Sequence, residues 1–224
     1  MTAPVDADRA LLAHERLIER YGRRDWPGRK DPLDELVLTI LSQSTTDHNS
    51  GMAYAALRRR LPTWQAVLDA PVEEVYAAIR PAGLGNIKAP RIQRTLRAVQ
   101  ERAGRLSLDH LEAMPLDEAR AWLTGLEGIG PKTAACVLMF ALGRPALPVD
   151  THVHRVSLRL GLIGPRVSAE QAHALLEGAL PPEAVYTFHL NMIQHGRDTC
   201  RARGPACERC PLADLCDFYQ AMRG

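Results

Sequence analysis

The stretch Leu126–Ala134 constrains the fold more than any other part of the sequence. It reads LEGIGPKTA and joins two segments of helical periodicity through a turn that contains two glycines. Glycine permits positive φ and a close approach of a ligand, and Pro131 suits the first position of the helix that follows. Such a turn directs backbone N–H groups to one place beside a helix N-terminus, which favours an anion such as phosphate. We therefore expect a phosphate-binding hairpin in which Gly128, Ile129 and Gly130 are contact residues.

A lysine follows directly in the first turn of the second helix. The chain has 28 basic residues, of which only Lys30, Lys88 and Lys132 are lysines. Arginine binds phosphate but stays protonated, whereas a lysine amine can lose its proton and act as a nucleophile. The positive end of a helix dipole and partial burial both favour a neutral amine. Taken alone, Lys132 is compatible with catalysis or with a solvated lysine in an arginine-rich composition.

Apolar residues recur with helical spacing along nearly the whole chain, and no segment shows the alternation of a strand. The sequence therefore predicts an all-α fold. The predicted helices cover residues 8–21, from Pro32 to about 41, from Thr46 or Asp47 to 60, 64–69, 72–79, an Arg-rich segment ending near Gly104, 116–123, 132–142, 151–160, a segment capped by Ser168, and 182–194.

Four cysteines lie within 17 residues near the C-terminus in the pattern C-x6-C-x2-C-x5-C. Four thiols so close together, in a segment poor in core-forming residues, indicate a metal site. They suit one zinc ion or one [4Fe–4S] cluster. Zinc sites more often pair two C-x2-C knuckles, and only one is present, so the spacing favours iron–sulfur. The cysteines are Cys200, Cys207, Cys210 and Cys216.

Composition sets weaker limits on function. The net charge of +2 allows a local nucleic-acid-binding patch without requiring one. The N-terminal residues lack the apolar run of a signal peptide, and no stretch has transmembrane length. We expect a cytoplasmic protein with reduced cysteines and no membrane partner.

Three motifs in combination resemble the endonuclease III family of DNA glycosylases, in the helix-hairpin-helix superfamily. They are L-x-G-[IV]-G-x-K-T-A, the VDTH segment at 149–152, and the HGR-x-x-C segment at 195–200 that opens the cysteine pattern. The resemblance covers nearly the whole chain. It implies a six-helix domain over residues 32–145 and a discontinuous second domain, 1–31 with 146–224, that holds a [4Fe–4S] cluster on the four cysteines. It also implies a monomer that binds double-stranded DNA and flips a damaged pyrimidine out of the duplex.

The same resemblance assigns the chemistry. Lys132 corresponds to the family's nucleophile and Asp150 to its catalytic carboxylate. The amine attacks C1′ of the damaged nucleotide, expels the base and forms a Schiff base, and β-elimination then cuts the strand. Asp150 also stands where the N-cap of the next helix belongs. The two roles are compatible, because a carboxylate held by N–H groups stays ionised and can stabilise positive charge on the sugar.

The residues that fill the DNA gap left by the flipped base are less regular. Leu84 matches the family's apolar wedge. The second loop usually carries a glutamine, but in the segment SQSTTD, at 42–47, Gln43 stands one place early and Ser44 occupies the usual position. Either Gln43 fills the gap from a shifted register, or Ser44 occupies the position and leaves the gap less filled.

Three functions remain open on the sequence. The first is a bifunctional glycosylase and abasic-site lyase that acts on oxidised pyrimidines in base excision repair. The second is a mismatch or uracil glycosylase on the same scaffold, which Ser44 keeps open. The third is a non-enzymatic iron–sulfur DNA-binding protein, against which the presence of both Lys132 and Asp150 argues.

Overall fold

The computed structural model describes residues 5–224, and no strand occurs among them. The all-α prediction is confirmed. The α-helices are α1 (Ala7–Tyr21), α2 (Pro32–Ser42), α3 (Asp47–Arg60), α4 (Trp64–Asp69), α5 (Val72–Ile79), α6 (Gly85–Ala103), α7 (Leu116–Thr124), α8 (Pro131–Cys136), α9 (Thr151–Arg159), α10 (Ala169–Glu177), α11 (Val185–Asp198) and α12 (Asp217–Arg223). None of the helices within residues 5–224 is long and apolar enough to cross a membrane.

The chain divides into two compact units. One comprises Gly28–Arg144, and the other comprises the described residues up to Pro27 together with Pro145–Gly224. The second unit is therefore discontinuous in sequence. The family resemblance predicts a six-helix domain that begins at residue 32 and ends at residue 145.

Helix α2 forms the centre of the 28–144 unit. The side chain of Asp31 accepts hydrogen bonds from the backbone N–H groups of Leu33 (2.8 Å) and Asp34 (3.2 Å), and Pro32 takes the first helical position. These two features begin the helix at the predicted place. Its largely apolar sequence is buried, and it packs against α3 and α8.

The helix after the hairpin differs from the regular helix predicted over 132–142. Helix α8 is α-helical only to Cys136, and Val137–Ala141 forms a π-helix. At its end Arg144 N–H donates to the carbonyl of Leu138 over 2.9 Å, and Lys30 N–H donates to that of Ala141 over 2.9 Å. The wider turn lets these residues satisfy carbonyls that a regular helix would leave without partners.

In the discontinuous unit, the N-terminal helix α1 packs against α11. The side-chain amide of Asn191 on α11 donates to the carbonyls of Leu17 (3.3 Å) and Gly22 (2.9 Å) at the end of α1. Helix α11 also packs closely on α9, where a Cβ at Gly196 would lie 2.9 Å from the Cβ of His152. Only glycine permits this approach without a shift.

Two helix predictions near the C-terminus need correction. The helix expected to start at Pro182 and end at Gln194 is a short 3-10 turn, Pro182–Ala184, followed by α11, which continues to Asp198. Helix α12 was not predicted, because its seven residues are too few for apolar periodicity to be recognised. The capping box predicted at Ser168 is present, with Gln171 as its partner.

Candidate functional site

The hairpin of the 28–144 unit has the expected form but uses its two glycines differently. Gly128 has φ +76°, the left-handed region that glycine favours, whereas Gly130 is extended, with φ −88° and ψ 175°. Ile129 is 3% exposed, and its N–H donates to the carbonyl of Leu126 over 3.0 Å. Ile129 therefore anchors the turn in the core, so its side chain is not an accessible DNA contact.

The remaining N–H groups of the turn point to an anion site. Among the described residues, no acceptor occurs for the backbone N–H groups of Gly128, Gly130 and Lys132. No atom lies within 4 Å of the position that a Cβ on Gly130 would occupy. Pro131 begins α8 without any side-chain cap at Gly130. An open helix N-terminus with unpaired N–H groups suits a phosphate.

Lys132 is half-buried in the first turn of α8, near a carboxylic acid that the sequence analysis did not single out. Glu35 on α2 accepts a hydrogen bond from the hydroxyl of Thr39 over 3.4 Å. Burial raises the pKa of Glu35 to about 7, against the opposing effects of the Lys30 charge, the Thr39 hydrogen bond and the Lys132 charge. The signal available in the sequence was a pair of acidic residues, Asp34 and Glu35, in a largely apolar helix.

Lys88, one of the three lysines in the sequence, has a structural role that the sequence did not suggest. It is 3% exposed, and its Nζ donates to the carbonyls of Leu41 (2.7 Å) and Ala82 (2.9 Å). Burial lowers its pKa. Leu41 precedes the loop of Gln43, and Ala82 precedes Leu84, so one ammonium group fixes the starts of both loops that the resemblance assigns to the DNA gap.

The backbone of those two loops is also unusual. Ser44 (φ 54°) and Leu84 (φ 50°) are the non-glycine residues with positive φ in the described part of the chain. The left-handed region costs such residues roughly 1–2 kcal/mol. Leu84 is 51% exposed, so its side chain gains little from burial in return. Strain at an exposed apolar residue indicates a functional position.

The side chain of Gln43 is held from α6. Arg91 donates through Nη1 to Gln43 Oε1 over 2.9 Å and through Nη2 to the carbonyl of Gly128. The guanidinium thus joins the loop after α2 to the hairpin turn. Sequence reasoning missed Arg91, which is one of many arginines on α6.

Asp150 lies in the discontinuous unit, where it is the N-cap of α9 as predicted. Its Oδ1 accepts hydrogen bonds from the N–H groups of His152 and Val153, each over 2.8 Å. Its side chain is half-buried. Two N–H donors at a helix N-terminus stabilise a carboxylate.

The four clustered cysteines line one pocket in the discontinuous unit, together with Arg159 and His195. They lie in the segment between the end of α11 at Asp198 and the start of α12 at Asp217. Cys136, the fifth, is buried elsewhere, in α8, as expected. No group of three or more His, Cys, Asp or Glu side chains within residues 5–224 is arranged to hold a single metal ion.

The surroundings of these thiols fit an iron–sulfur cluster. Arg159 Nη1 donates to Cys200 Sγ over 3.3 Å, and the N–H of Leu212 donates to Cys210 Sγ over 3.4 Å. Such hydrogen bonds stabilise thiolates that ligate a cluster. Burial raises the pKa of Cys210 to about 11 and also raises that of Cys216, so thiolates there require compensating positive charge.

His195 completes the wall of this pocket. Its Nε2 lies 3.5 Å from Cys210 Sγ, and its Nδ1 lies 3.2 Å from the hydroxyl of Tyr21. Burial lowers the pKa of His195 to about 4, although the charge of Asp198 partly opposes this. The imidazole is therefore neutral near pH 7, and it links α1 to the cysteine loop.

Comparison with known proteins decides the family. The sequence profile of HhH-GPD superfamily base excision DNA repair proteins matches residues 37–182. The chain belongs to this superfamily. A second profile, the iron–sulfur binding domain of endonuclease III, matches residues 200–216. Endonuclease III of Thermotoga maritima is 36% identical over 209 residues, covering 93% of this chain and 92% of the relative. The Escherichia coli K12 enzyme is 37% identical over 191 residues, covering 85% and 86%.

Solved structures of endonuclease III are similar in fold to this chain, in agreement with the sequence comparison. A non-covalent endonuclease III–DNA complex aligns with a TM-score of 0.79 and 30% identity, covering 98% of this chain and 100% of the other. A trapped endonuclease III–DNA covalent intermediate gives 0.80 at 29% identity, with the same coverage. The chain is a base excision repair DNA glycosylase with abasic-site lyase activity that binds DNA, and its cofactor is a [4Fe–4S] cluster.

Proposed function

We propose that this glycosylase removes oxidised pyrimidines from double-stranded DNA and then cleaves the abasic strand, acting as a monomer on nucleoid DNA. The observation that carries the proposal is the position of Lys132. It stands in the first turn of α8, beside N–H groups that have no acceptor among the described residues. A backbone phosphate on those N–H groups would position a sugar next to the amine.

Lys132 is the nucleophile in this proposal. Its neutral amine attacks C1′ of the damaged nucleotide, and the electrons of the glycosidic bond leave with the base. Loss of the amine proton and opening of the sugar give a Schiff base. Removal of a 2′ proton then expels the 3′ phosphate, which cuts the strand. Asp150, held by two N–H donors, stabilises the positive charge that develops on the sugar.

The remaining residues bind DNA or the cofactor. The turn residues Gly128 and Gly130 bind the phosphate through backbone N–H groups, and Ile129 holds the turn in place. Leu84 enters the duplex as an apolar wedge, and the loop of Gln43 and Ser44 fills the gap. The cluster, which stabilises the fold of the cysteine loops, is held by Cys200, Cys207, Cys210 and Cys216.

Borohydride trapping tests the nucleophile. Duplexes carrying an abasic site, thymine glycol or a G·T mismatch are incubated with enzyme and borohydride, which reduces a Schiff base to a stable adduct. We expect the wild type to be trapped on the abasic and thymine-glycol duplexes and Lys132→Gln on neither. Lys30→Gln, an exposed lysine of the same unit, is the control and retains trapping.

Two results would change the proposal. Trapping that persists in Lys132→Gln would refute the assignment of this amine. Base excision from the G·T duplex but not from thymine glycol would refute the assignment of oxidised pyrimidines as substrates. It would favour the mismatch glycosylase, the alternative that Ser44 keeps open.

A further inference from the structure

The segment that leads into Asp150 buries backbone that belongs to no helix. Residues 143–150 have no regular secondary structure, and residues 146–149 are buried. Within the described part of the chain, no backbone group of residues 145–149 pairs with another backbone group. Buried N–H and C=O groups need hydrogen-bond partners, so side chains of other elements must supply them here.

Two helices of the same unit supply these partners. On α10, His173 Nδ1 donates to the carbonyl of Leu147 over 2.7 Å, and Glu177 Oε1 accepts a hydrogen bond from the N–H of Leu147, also over 2.7 Å. On α11, His189 Nδ1 donates to the carbonyl of Pro148 over 2.9 Å. No role assigned so far uses these three side chains.

The hydrogen bonds leave this segment little freedom to move. His173 and Glu177 are one helical turn apart on the same face of α10, and together they bind both backbone groups of Leu147. A carbonyl oxygen only accepts hydrogen bonds, so Nδ1 carries a proton in both imidazoles. His173 is 5% exposed and His189 is 2% exposed, so their bonds are shielded from water. Loss of either donor would leave a buried carbonyl without it, which is costly.

We propose that His173 and His189 are positioning residues that fix the catalytic carboxylate of Asp150. They hold Leu147 and Pro148 just before it, while its own N-cap hydrogen bonds hold it to α9. The carboxylate is thus tied to α9, α10 and α11. A charged group stabilises a transition state best when it is already fixed where the opposite charge develops. This inference rests on the proposed function, in which Asp150 stabilises positive charge on the sugar.

Single-turnover excision of thymine glycol tests this role when DNA binding is measured beside it. His189→Leu removes the donor to Pro148 and should lower the excision rate about tenfold or more, because a small displacement of a catalytic group is costly. Binding is measured by fluorescence anisotropy on duplexes that carry tetrahydrofuran, an abasic analogue that cannot be cleaved. The dissociation constant should stay close to that of wild type, because the residues proposed to bind DNA belong to the 28–144 unit.

Asparagine variants separate the hydrogen bond from the imidazole. The side-chain NH2 group of asparagine can take the place of Nδ1 and donate to the same carbonyl. His189→Asn should therefore excise faster than His189→Leu, and His173→Asn faster than His173→Leu. His154→Leu is the matched control, because it removes a histidine-to-carbonyl hydrogen bond of 2.8 Å, to Val167, in the same unit. Its excision rate should stay near that of wild type.

A double-mutant cycle distinguishes positioning from a loss of folded protein. In the Asp150→Asn background the carboxylate is absent, so His189→Leu should lower the residual excision rate no further. A folding defect would instead lower the rate by the same factor in both backgrounds. Urea unfolding followed by circular dichroism identifies the variants that are folded under the assay conditions.

Two results would overturn the inference. They are excision at the wild-type rate by His189→Leu, and an effect of His189→Leu that has the same size with and without the Asp150 carboxylate. Either of them, beside an Asp150→Asn variant that loses excision, would leave the proposed function standing. Failure of the proposed function would be seen elsewhere, as wild-type excision by Asp150→Asn or as the absence of a borohydride adduct from the wild type.

Discussion

Glu35 is an ionisable residue in a place from which water is largely excluded. Its pKa of about 7 lies above the ordinary value of 4.5, chiefly because burial disfavours the carboxylate. An acid whose pKa is raised by folding stabilises the folded state below its unfolded pKa. That stabilisation is lost as the pH rises from 4.5 towards 7, and the loss amounts to about 3 kcal/mol.

The prediction for this residue is a change in the pH dependence of stability. Glutamine carries no charge at any pH, so Glu35→Gln should gain stability relative to the wild type as pH rises from 4.5 to 7.5, by up to about 3 kcal/mol. Urea unfolding followed by circular dichroism measures this difference. Glu118→Gln replaces an exposed glutamate on α7 and is the matched control. A constant difference between Glu35→Gln and wild type across this range would contradict the prediction.

At the scale of the element, the N-terminus of α9 combines capping with the proposed catalysis. Asp150 caps two N–H groups, and asparagine is an equally good N-cap that lacks the negative charge. Asp150→Asn should therefore keep the free energy of unfolding within about 0.5 kcal/mol of wild type, whereas Asp150→Ala should lose about 1 kcal/mol. We expect both variants to lose thymine-glycol excision.

Stability and excision, measured on the same preparations, separate the two roles of Asp150. Wild-type excision by Asp150→Asn would show that the residue is only a cap. An equal loss of stability in both variants would show that the charge, and not the hydrogen bonds, holds the helix end.

At the scale of the whole molecule, the cysteine pocket depends on a helix far away in sequence. Tyr21 at the end of α1 contacts His195 in the pocket wall, and Arg9 and Arg16 on α1 form ion pairs with Asp217 and Asp214 near the last cysteine. The N-terminal helix therefore packs against the segment that holds the cluster.

Removal of iron should consequently affect α1 as well as the cysteine loops. After chelation, we expect hydrogen exchange of backbone amides to accelerate in α1, α11 and α12, because the contacts around the cluster are lost. Helices α2 and α6 of the 28–144 unit provide the internal reference. Unchanged exchange in α1 after complete loss of the cluster absorbance would contradict this dependence.

The sequence by itself determined those features that arise within a few residues. The all-α fold, the starts of α2, α3 and α9, the hairpin turn and the cysteine pattern follow from periodicity, capping residues, glycine and proline, and spacing, because the physical causes act locally. The family resemblance came from the same short motifs.

Only the tertiary structure decided which residues, distant in the sequence, surround these local features. The burial of Glu35 in the unit that contains Lys132, the hold of Arg91 on Gln43 and the hydrogen bond from Arg159 to Cys200 join residues that are 41 to 97 positions apart. Such contacts depend on how helices pack, and packing depends on all the side chains of an interface together. No local pattern marks one arginine among 25 as the one that meets a glutamine or a cysteine, so these contacts emerged only with the folded chain.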